Sequence, residues 1–197
     1  MTIAPVTKAL VASVLLAHTL AGCSAAEEPA KPAATVEPGT YVGQVEGSDA
    51  RVGVVAGASS MVVFVCGGPT SVATATAWVE GARSQGGATS LTAASGTLVV
   101  ERSDAANEVT GKLSGGPSPL TFRAQRVPEG SAAGIYEGRD AEGRYGVVAD
   151  PQASLQGAFV RKGGGLAQQI IVIRPEAAAF RVELDGRSVL LQKLVAP

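Results

Sequence analysis

The chain is nearly without histidine, and what little it has lies at the start. His18 is the only one in 197 residues. It falls in a stretch that reads as a removable leader, so the processed chain would carry no imidazole. That excludes a Ser-His-Asp triad, a Cys-His pair and any histidine metal site. Cysteine is almost as scarce, with only Cys23 and Cys66. No zinc site can be assembled from them, and no metal or other cofactor is expected. Aromatic residues make up 4% of the chain, and Trp78 is the single tryptophan. Basic clusters are also missing. The 16 basic and 17 acidic residues are interspersed, which gives nucleic acid nothing to grip. No apolar run reaches the roughly 20 residues a membrane-spanning helix needs.

What is present begins with the N-terminus. Lys8 precedes a short apolar stretch, Ala9 to Leu20, and small residues then lead to Cys23. A charged start, a short apolar middle and a small-residue end are the parts of a secretory signal. Leu20-Ala21-Gly22-Cys23 resembles the lipobox of bacterial lipoproteins. The resemblance implies cleavage before Cys23, a diacylglyceryl thioether on its sulfur and acylation of the new amine. Two or more acyl chains hold a protein at a membrane where one would not. The alternatives are an ordinary secretory signal with a chance cysteine, or a retained membrane helix. Ser24 follows the cysteine. By resemblance to lipoprotein sorting, the lack of Asp there allows an outer-membrane destination in a Gram-negative host.

Residues 1–22 are thus read as leader and 23–38 as the lipidated cysteine with a disordered tether. The segment Ser24 to Pro38 is rich in Ala, Pro and Glu and cannot bury enough apolar surface to order itself. Its prolines suit an extended spacer, with a packed N-terminal arm as the alternative.

From Gly39 onwards the pattern is all-β. In Glu108 to Ser114 and in Leu120 to Gln125, apolar and polar residues alternate, as in half-buried strands. Asp185-Gly186 is a two-residue hairpin signal. Placing the turn there sets Val182 opposite Val189 and Phe180 opposite Leu191, all on one face. Met61 to Cys66 and Ile170 to Ile173 are apolar on both faces and read as central strands. Ala88 to Ala94 leaves a helical turn open.

The chain also repeats itself. Gly39-Thr-Tyr41-Val-Gly43 matches Gly134-Ile-Tyr136-Glu-Gly138, and Arg51-Val-Gly53-Val-Val-Ala56 matches Arg144-Tyr-Gly146-Val-Val-Ala149. Phe64-Val65 is aligned with Phe159-Val160, and Gln125-Arg126-Val127 with Gln192-Lys193-Leu194. The first copy, 39–127, exceeds the second, 134–197, around Ser71 to Leu98. The expected fold is an antiparallel meander, barrel or sandwich of two pseudo-repeats. Each half is expected to be too small to close its own core, so that 39–197 packs as one domain; separate domains are the alternative.

Tyr41-Val-Gly43, Gly47-Ser-Asp49-Ala50, Val65-Cys66-Gly67-Gly68, Trp78-Val-Glu-Gly81 and Gly134-Ile-Tyr136 together resemble a loose group of exported β-rich proteins from GC-rich bacteria. That resemblance implies an envelope location and a β-rich domain, and carries no catalytic residue.

Few residues invite chemistry. Cys66 ends an apolar run and suits a buried, inert place, although Gly67-Gly68 leave an exposed thiol open. Glu46, Asp49, Glu137, Asp140 and Glu142 are candidates for an acid–base pair, yet their Gly-rich settings read first as turns. Gly163-Gly-Gly165 lacks the Lys-Ser/Thr ending of a phosphate loop and reads as a hairpin connection. Tyr41, Trp78 and Tyr136 are candidate contact or pocket residues.

Three functions follow. The first is a lipid-anchored envelope module that binds a protein or polymer without catalysis. The second is a small-ligand carrier in which Gly43, Gly53 and Gly146 leave room inside a barrel. The third is a hydrolase built on carboxylates or Cys66.

Overall fold

A computed structural model describes residues 35–196, apart from 94, 95, 104, 106, 116 and 117. Leu20, Ala21, Gly22 and Cys23, with the rest of the leader and the tether to residue 34, lie outside the described residues.

The fold is all-β and antiparallel, in two consecutive meanders that each curl into a nearly closed barrel. The first contains β1 (Gly39–Val45), β2 (Arg51–Ala56), β3 (Ser60–Cys66), α1 (Val72–Ala75), β4 (Ala77–Ala82), β5 (Thr89–Ala93), β6 (Gly96–Arg102), β7 (Glu108–Ser114) and β8 (Leu120–Arg126). Its strand order is β4-β3-β2-β1-β8-β7-β6-β5, and β4 returns to lie beside β5. The second contains β9 (Gly134–Arg139), β10 (Gly143–Ala149), β11 (Leu155–Arg161), β12 (Gln168–Ile170), β13 (Val172–Glu176), β14 (Ala179–Leu184) and β15 (Arg187–Lys193). Its order is β12-β11-β10-β9-β15-β14-β13. A barrel of about eight strands has an interior just wide enough for side chains to fill.

The alternating segments fold as their pattern dictates. Val109, Gly111 and Leu113 of β7 are buried while Lys112 and Ser114 are exposed, and Phe122 and Ala124 of β8 are buried while Arg123 and Gln125 are exposed. The C-terminal hairpin pairs Phe180 with Leu191 and Val182 with Val189. Its turn residues Asp185 and Gly186 take φ of 50° and 74°, the left-handed pair that matches strand twist.

The registers show which strands are equivalent. Gly39 pairs with Ala56 as Gly134 pairs with Ala149, and Tyr41 with Arg126 as Tyr136 with Lys193. Thus β1, β2, β3 and β4 correspond to β9, β10, β11 and β12, and β6, β7 and β8 to β13, β14 and β15. Strand β5 has no counterpart, and its stretch is extended rather than a helical turn. The alignment of Phe64 with Phe159 is one residue out. Gly53 pairs with Phe64, whereas its equivalent Gly146 pairs with Ala158. A slip of one residue changes the face, and Phe159 accordingly points into the second barrel while Phe64 points out of the first.

Three further expectations change. Each half does have its own core: one cluster lies wholly within the first barrel, from Val36 to Ala124, and another within the second, from Tyr136 to Leu191. The halves meet in a third cluster between the barrels. Ile170 to Ile173 is not a central strand, because the chain breaks at Ile171, which is 86% exposed, as it crosses from one sheet edge to the other. Residues 35–38, assigned to the tether, belong to the fold: Val36 is 1% exposed and is part of the first core.

Candidate functional site

The most elaborate meeting of side chains lies between the barrels, and the repeated segment Arg-x-Gly-Val-Val-Ala builds it from both sides. Strands β1, β2 and β3 face β9, β10 and β11. Val54 and Val147 point into their own barrels, while Val55 and Val148 point into the shared cluster. That is why both copies are apolar on two faces.

The glycine of each copy receives a side chain from the other barrel. A Cβ on Gly53 would stand 2.9 Å from Ile135 Cδ1, and one on Gly146 would stand 2.5 Å from both Phe64 Cε1 and Trp78 Cζ2. Ala158, the counterpart of Phe64, is small enough to let this pair of rings approach. The ring centroids of Phe64 and Trp78 are 4.0 Å apart at 15°.

The two equivalent arginines reach across in opposite directions. Arg51 donates to Asp150 Oδ2 at 2.7 Å and to the Ser154 carbonyl at 3.0 Å and hydroxyl at 2.8 Å. Arg144 lies over the Trp78 ring at 3.7 Å and donates to Glu80 at 3.2 Å and to Glu137 at 3.0 Å. Arg51, Asp150, Arg144 and Glu137 are all mostly withdrawn from solvent. The Gln156 amide also donates to the Cys66 carbonyl across the boundary.

Trp78 is therefore engaged inside the molecule, half-buried between Phe64 and Arg144. Tyr41 and Tyr136 are buried too, and they do the same work in each barrel. Tyr41 donates to the Glu37 carbonyl at 2.9 Å, and Tyr136 to the Ala132 carbonyl at 2.8 Å. Each phenol ties down the residue four positions ahead, where the chain enters its barrel. Burial raises both phenol pKa values. Tyr41→Phe and Tyr136→Phe are each expected to cost about 1 kcal/mol in urea unfolding.

The candidate carboxylates are dispersed and individually occupied. Asp49 does not close its own turn; it accepts from the Thr70 amide at 2.8 Å, the Thr70 hydroxyl at 2.7 Å and the Ser71 hydroxyl, pinning the loop before α1. Those bonds, Ser71's first, lower its pKa to about 2. Its folded value lies below the unfolded one. The bonds thus contribute fully above the usual carboxylate range and fade as pH falls from about 4 towards 2. Asp49→Asn should flatten the melting temperature against pH in that window.

Asp140 does close its turn, accepting from the amides of Glu142 at 2.8 Å and Gly143 at 3.0 Å, and it also accepts from the Tyr145 hydroxyl at 2.7 Å. Burial opposes its ionisation, but these bonds, Tyr145's first, outweigh it and lower its pKa. Glu46 is held low by the Arg123 guanidinium and the Thr121 hydroxyl. In Glu137, burial works against the charge, and hydrogen bonds from Arg144 and Arg139 overcome it. Glu142 pairs with Arg161 at 3.4 Å. None of the four shifted groups moves towards the raised pKa of a general acid.

Cys66 is fully buried, and burial pushes its thiol up, away from the thiolate a nucleophile requires. A thiol reagent is expected to leave native Cys66 untouched and to react fully after unfolding.

The glycines invoked for a ligand cavity leave no room inside. Gly53 and Gly146 face the neighbouring barrel, and Gly43 lies against strand β8, where a Cβ would stand 2.6 Å from Ala124 Cα. The interiors are occupied by Tyr41, Met61, Leu98 and Phe122 in the first barrel and by Tyr136, Tyr145, Phe159 and Leu191 in the second. A shallow cleft of about 260 Å³ lies outside the first barrel, with Glu46, Glu101, Lys112 and Arg123 on its walls. It has no bias of charge. Among the described residues there is no cluster of His, Cys, Asp and Glu that could hold a metal ion.

No protein family, curated protein or solved structure matches the chain. The repeat is thus the one internal reference. It identifies Arg51, Arg144, Ile135 and Phe64 as the residues that join the barrels, which the pattern alone did not. The signal was there in the double-faced apolarity of the two Arg-x-Gly-Val-Val-Ala segments.

Proposed function

We propose that the chain is an exported lipoprotein, held at the cell envelope by lipid on Cys23, whose two barrels form a non-catalytic module that binds a protein or polymer. The segment Leu20-Ala21-Gly22-Cys23 behind its short apolar stretch carries the anchoring. The resemblance to exported β-rich proteins points to the same location, and Ser24 is compatible with an outer membrane. The binding role is supported by the site geometry: the candidate acids are engaged by donors, the one thiol of the fold is sealed, and the interiors are filled by side chains. Such a molecule offers surfaces rather than a reaction centre.

Twelve residue steps separate Cys23 from Thr35, a reach of at most about 40 Å when extended. The first barrel would therefore stand close to the membrane. Mass spectrometry of the N-terminal peptide from the expressing host tests the anchor directly. A diacylglyceryl mass on Cys23, absent from the Cys23→Ser variant, is the expected result. A Cys23 without lipid, or a leader that stays attached, defeats the proposal. Native mass spectrometry of the soluble chain separates a binding module from a carrier: a bare chain mass is expected, and a retained small molecule would favour the carrier.

A further inference from the structure

The mouth of the first barrel is filled by the segment that leads into it. Val36 is 1% exposed and joins the core, although β1 begins only at Gly39. The segment is held through its backbone, its one charge and the Thr35 hydroxyl, which donates to the Gln85 carbonyl at 3.4 Å. Arg83 donates to the Val36 carbonyl at 2.7 Å, Arg126 to the Pro38 carbonyl at 2.9 Å, and Tyr41 to the Glu37 carbonyl at 2.9 Å. The Glu37 carboxylate sits between Arg102 at 3.3 Å and Arg126 at 3.1 Å. The occupant is thus read as a peptide: one aliphatic side chain inserted, an acidic residue clamped, and three successive carbonyls bonded. One donor of the site is unused, since the buried Nε of Arg83 has no partner among the described residues.

The second barrel repeats two of these carbonyl bonds but not the inserted and clamped side chains. At its entry Tyr136 again bonds a carbonyl, and Lys193 donates to the Ser131 carbonyl as Arg83 does to that of Val36, but Ser131 and Ala132 stand where the first barrel has Val36 and Glu37. A side-chain plug needed merely to start a barrel would be expected in both copies. The aliphatic-acidic plug is peculiar to the barrel at which the N-terminal chain arrives.

We propose that the mouth of the first barrel is a peptide-binding site for an extended aliphatic-acidic-proline segment, and that Thr35–Pro38 occupies it in cis. A partner segment of the same chemistry would compete for Arg83, Arg102, Arg126 and the pocket of Val36. The cis segment is tethered at short range, where effective concentrations reach millimolar, so it holds the site closed against weak ligands. This inference rests on the reading of the chain as a binding module, but not on the lipid. Its test uses soluble protein and leaves the result at Cys23 unaffected.

The probe is a fluorescent peptide with the sequence of residues 31–40, titrated by anisotropy into the chain from residue 23 onwards carrying Cys23→Ser. In that background, V36G with E37A weakens the cis segment. The expected result is saturable binding, at least about tenfold tighter to the weakened chain than to the unaltered one. The peptide should lose at least about tenfold when its own Val is changed to Asp or its Glu to Lys. Absence of binding to a weakened chain that circular dichroism shows to be folded overturns the proposal, as does equal binding of the altered peptides. A separate variant, V36C, does not require the mouth to be emptied. Its introduced thiol should react with a thiol reagent at least about 100-fold faster than Cys66 in the same molecule, because the segment withdraws without unfolding the barrel. Equal rates at the two thiols would mean that the segment is a fixed part of the core, and would also overturn the proposal.

Discussion

Phe64→Ala is expected to cost about 3–5 kcal/mol and to divide a single thermal transition into two. Phe64 is fully buried, yet it contributes nothing to the interior of its own barrel. Its ring stacks on Trp78 and fills the space left by Gly146. Truncation leaves a cavity bounded by both barrels, and the Trp78 ring loses its support beneath Arg144. The two barrels keep their own cores, so they should continue to fold. What disappears is the coupling between them. Differential scanning calorimetry of the variant should show two separable peaks. A single peak, shifted but undivided, would mean that the barrels stay coupled without this contact.

Gly43→Ala should also destabilise, by about 3 kcal/mol, and should act on the first barrel alone. The position is set by backbone and not by a side chain that can move aside. A Cβ there would stand 2.6 Å from Ala124 Cα and 2.7 Å from the Arg123 carbonyl carbon, and it would overlap the Arg123 carbonyl oxygen. Strand β1 would have to part from β8, which is the pairing that joins the first strand of the barrel to its last. Urea unfolding followed at Trp78 fluorescence should show the loss. Gly138→Ala, at the equivalent place in the second barrel, meets Leu191 and Val189 side chains as well as the Leu190 carbonyl. It should cost less, since part of its obstruction can rotate away.

Much of the architecture was legible because strands announce themselves by period two. The Asp185-Gly186 turn fixed its register without ambiguity, since a shift of one residue would have turned Phe180 and Leu191 to solvent. The repeat was legible too, through Tyr41 and Tyr136 and the two Arg-x-Gly-Val-Val-Ala segments. Its meaning was not. Gly53 and Gly146 looked like space inside a barrel because a sequence shows which residues are small but not which wall they face. The one-residue error at Phe64 has the same root: identity of residue type drew it to Phe159, while hydrogen-bond register places Ala158 there. Ile170 to Ile173 misled because an apolar run is the same whether it is covered or crosses a seam. The candidate site suffered most. Asp49 and Asp140 sit in matching turns, but one binds a distant loop and the other its own amides, a difference set by tertiary neighbours. Val36 gave no signal at all, lying in a proline-rich stretch whose composition argues against order.

In both barrels the first strand is hydrogen-bonded to the last, and the chain leaves each barrel beside the point where it entered. Val127 donates to the Thr40 carbonyl at 2.9 Å, and Leu194 donates to that of Ile135 at 2.8 Å. Pro128–Ala133 is the stretch of chain that links the two. A unit whose ends coincide can be duplicated head to tail with only a short joint, because the new copy starts where the old one stops and no strand has to be rerouted. The same property makes a third copy, or the removal of one, an accessible step in the gene. The features that would resist such a change are the ones the copies do not share: a large ring at Phe64 where the sister copy has alanine, and a strand, β5, present in one copy only.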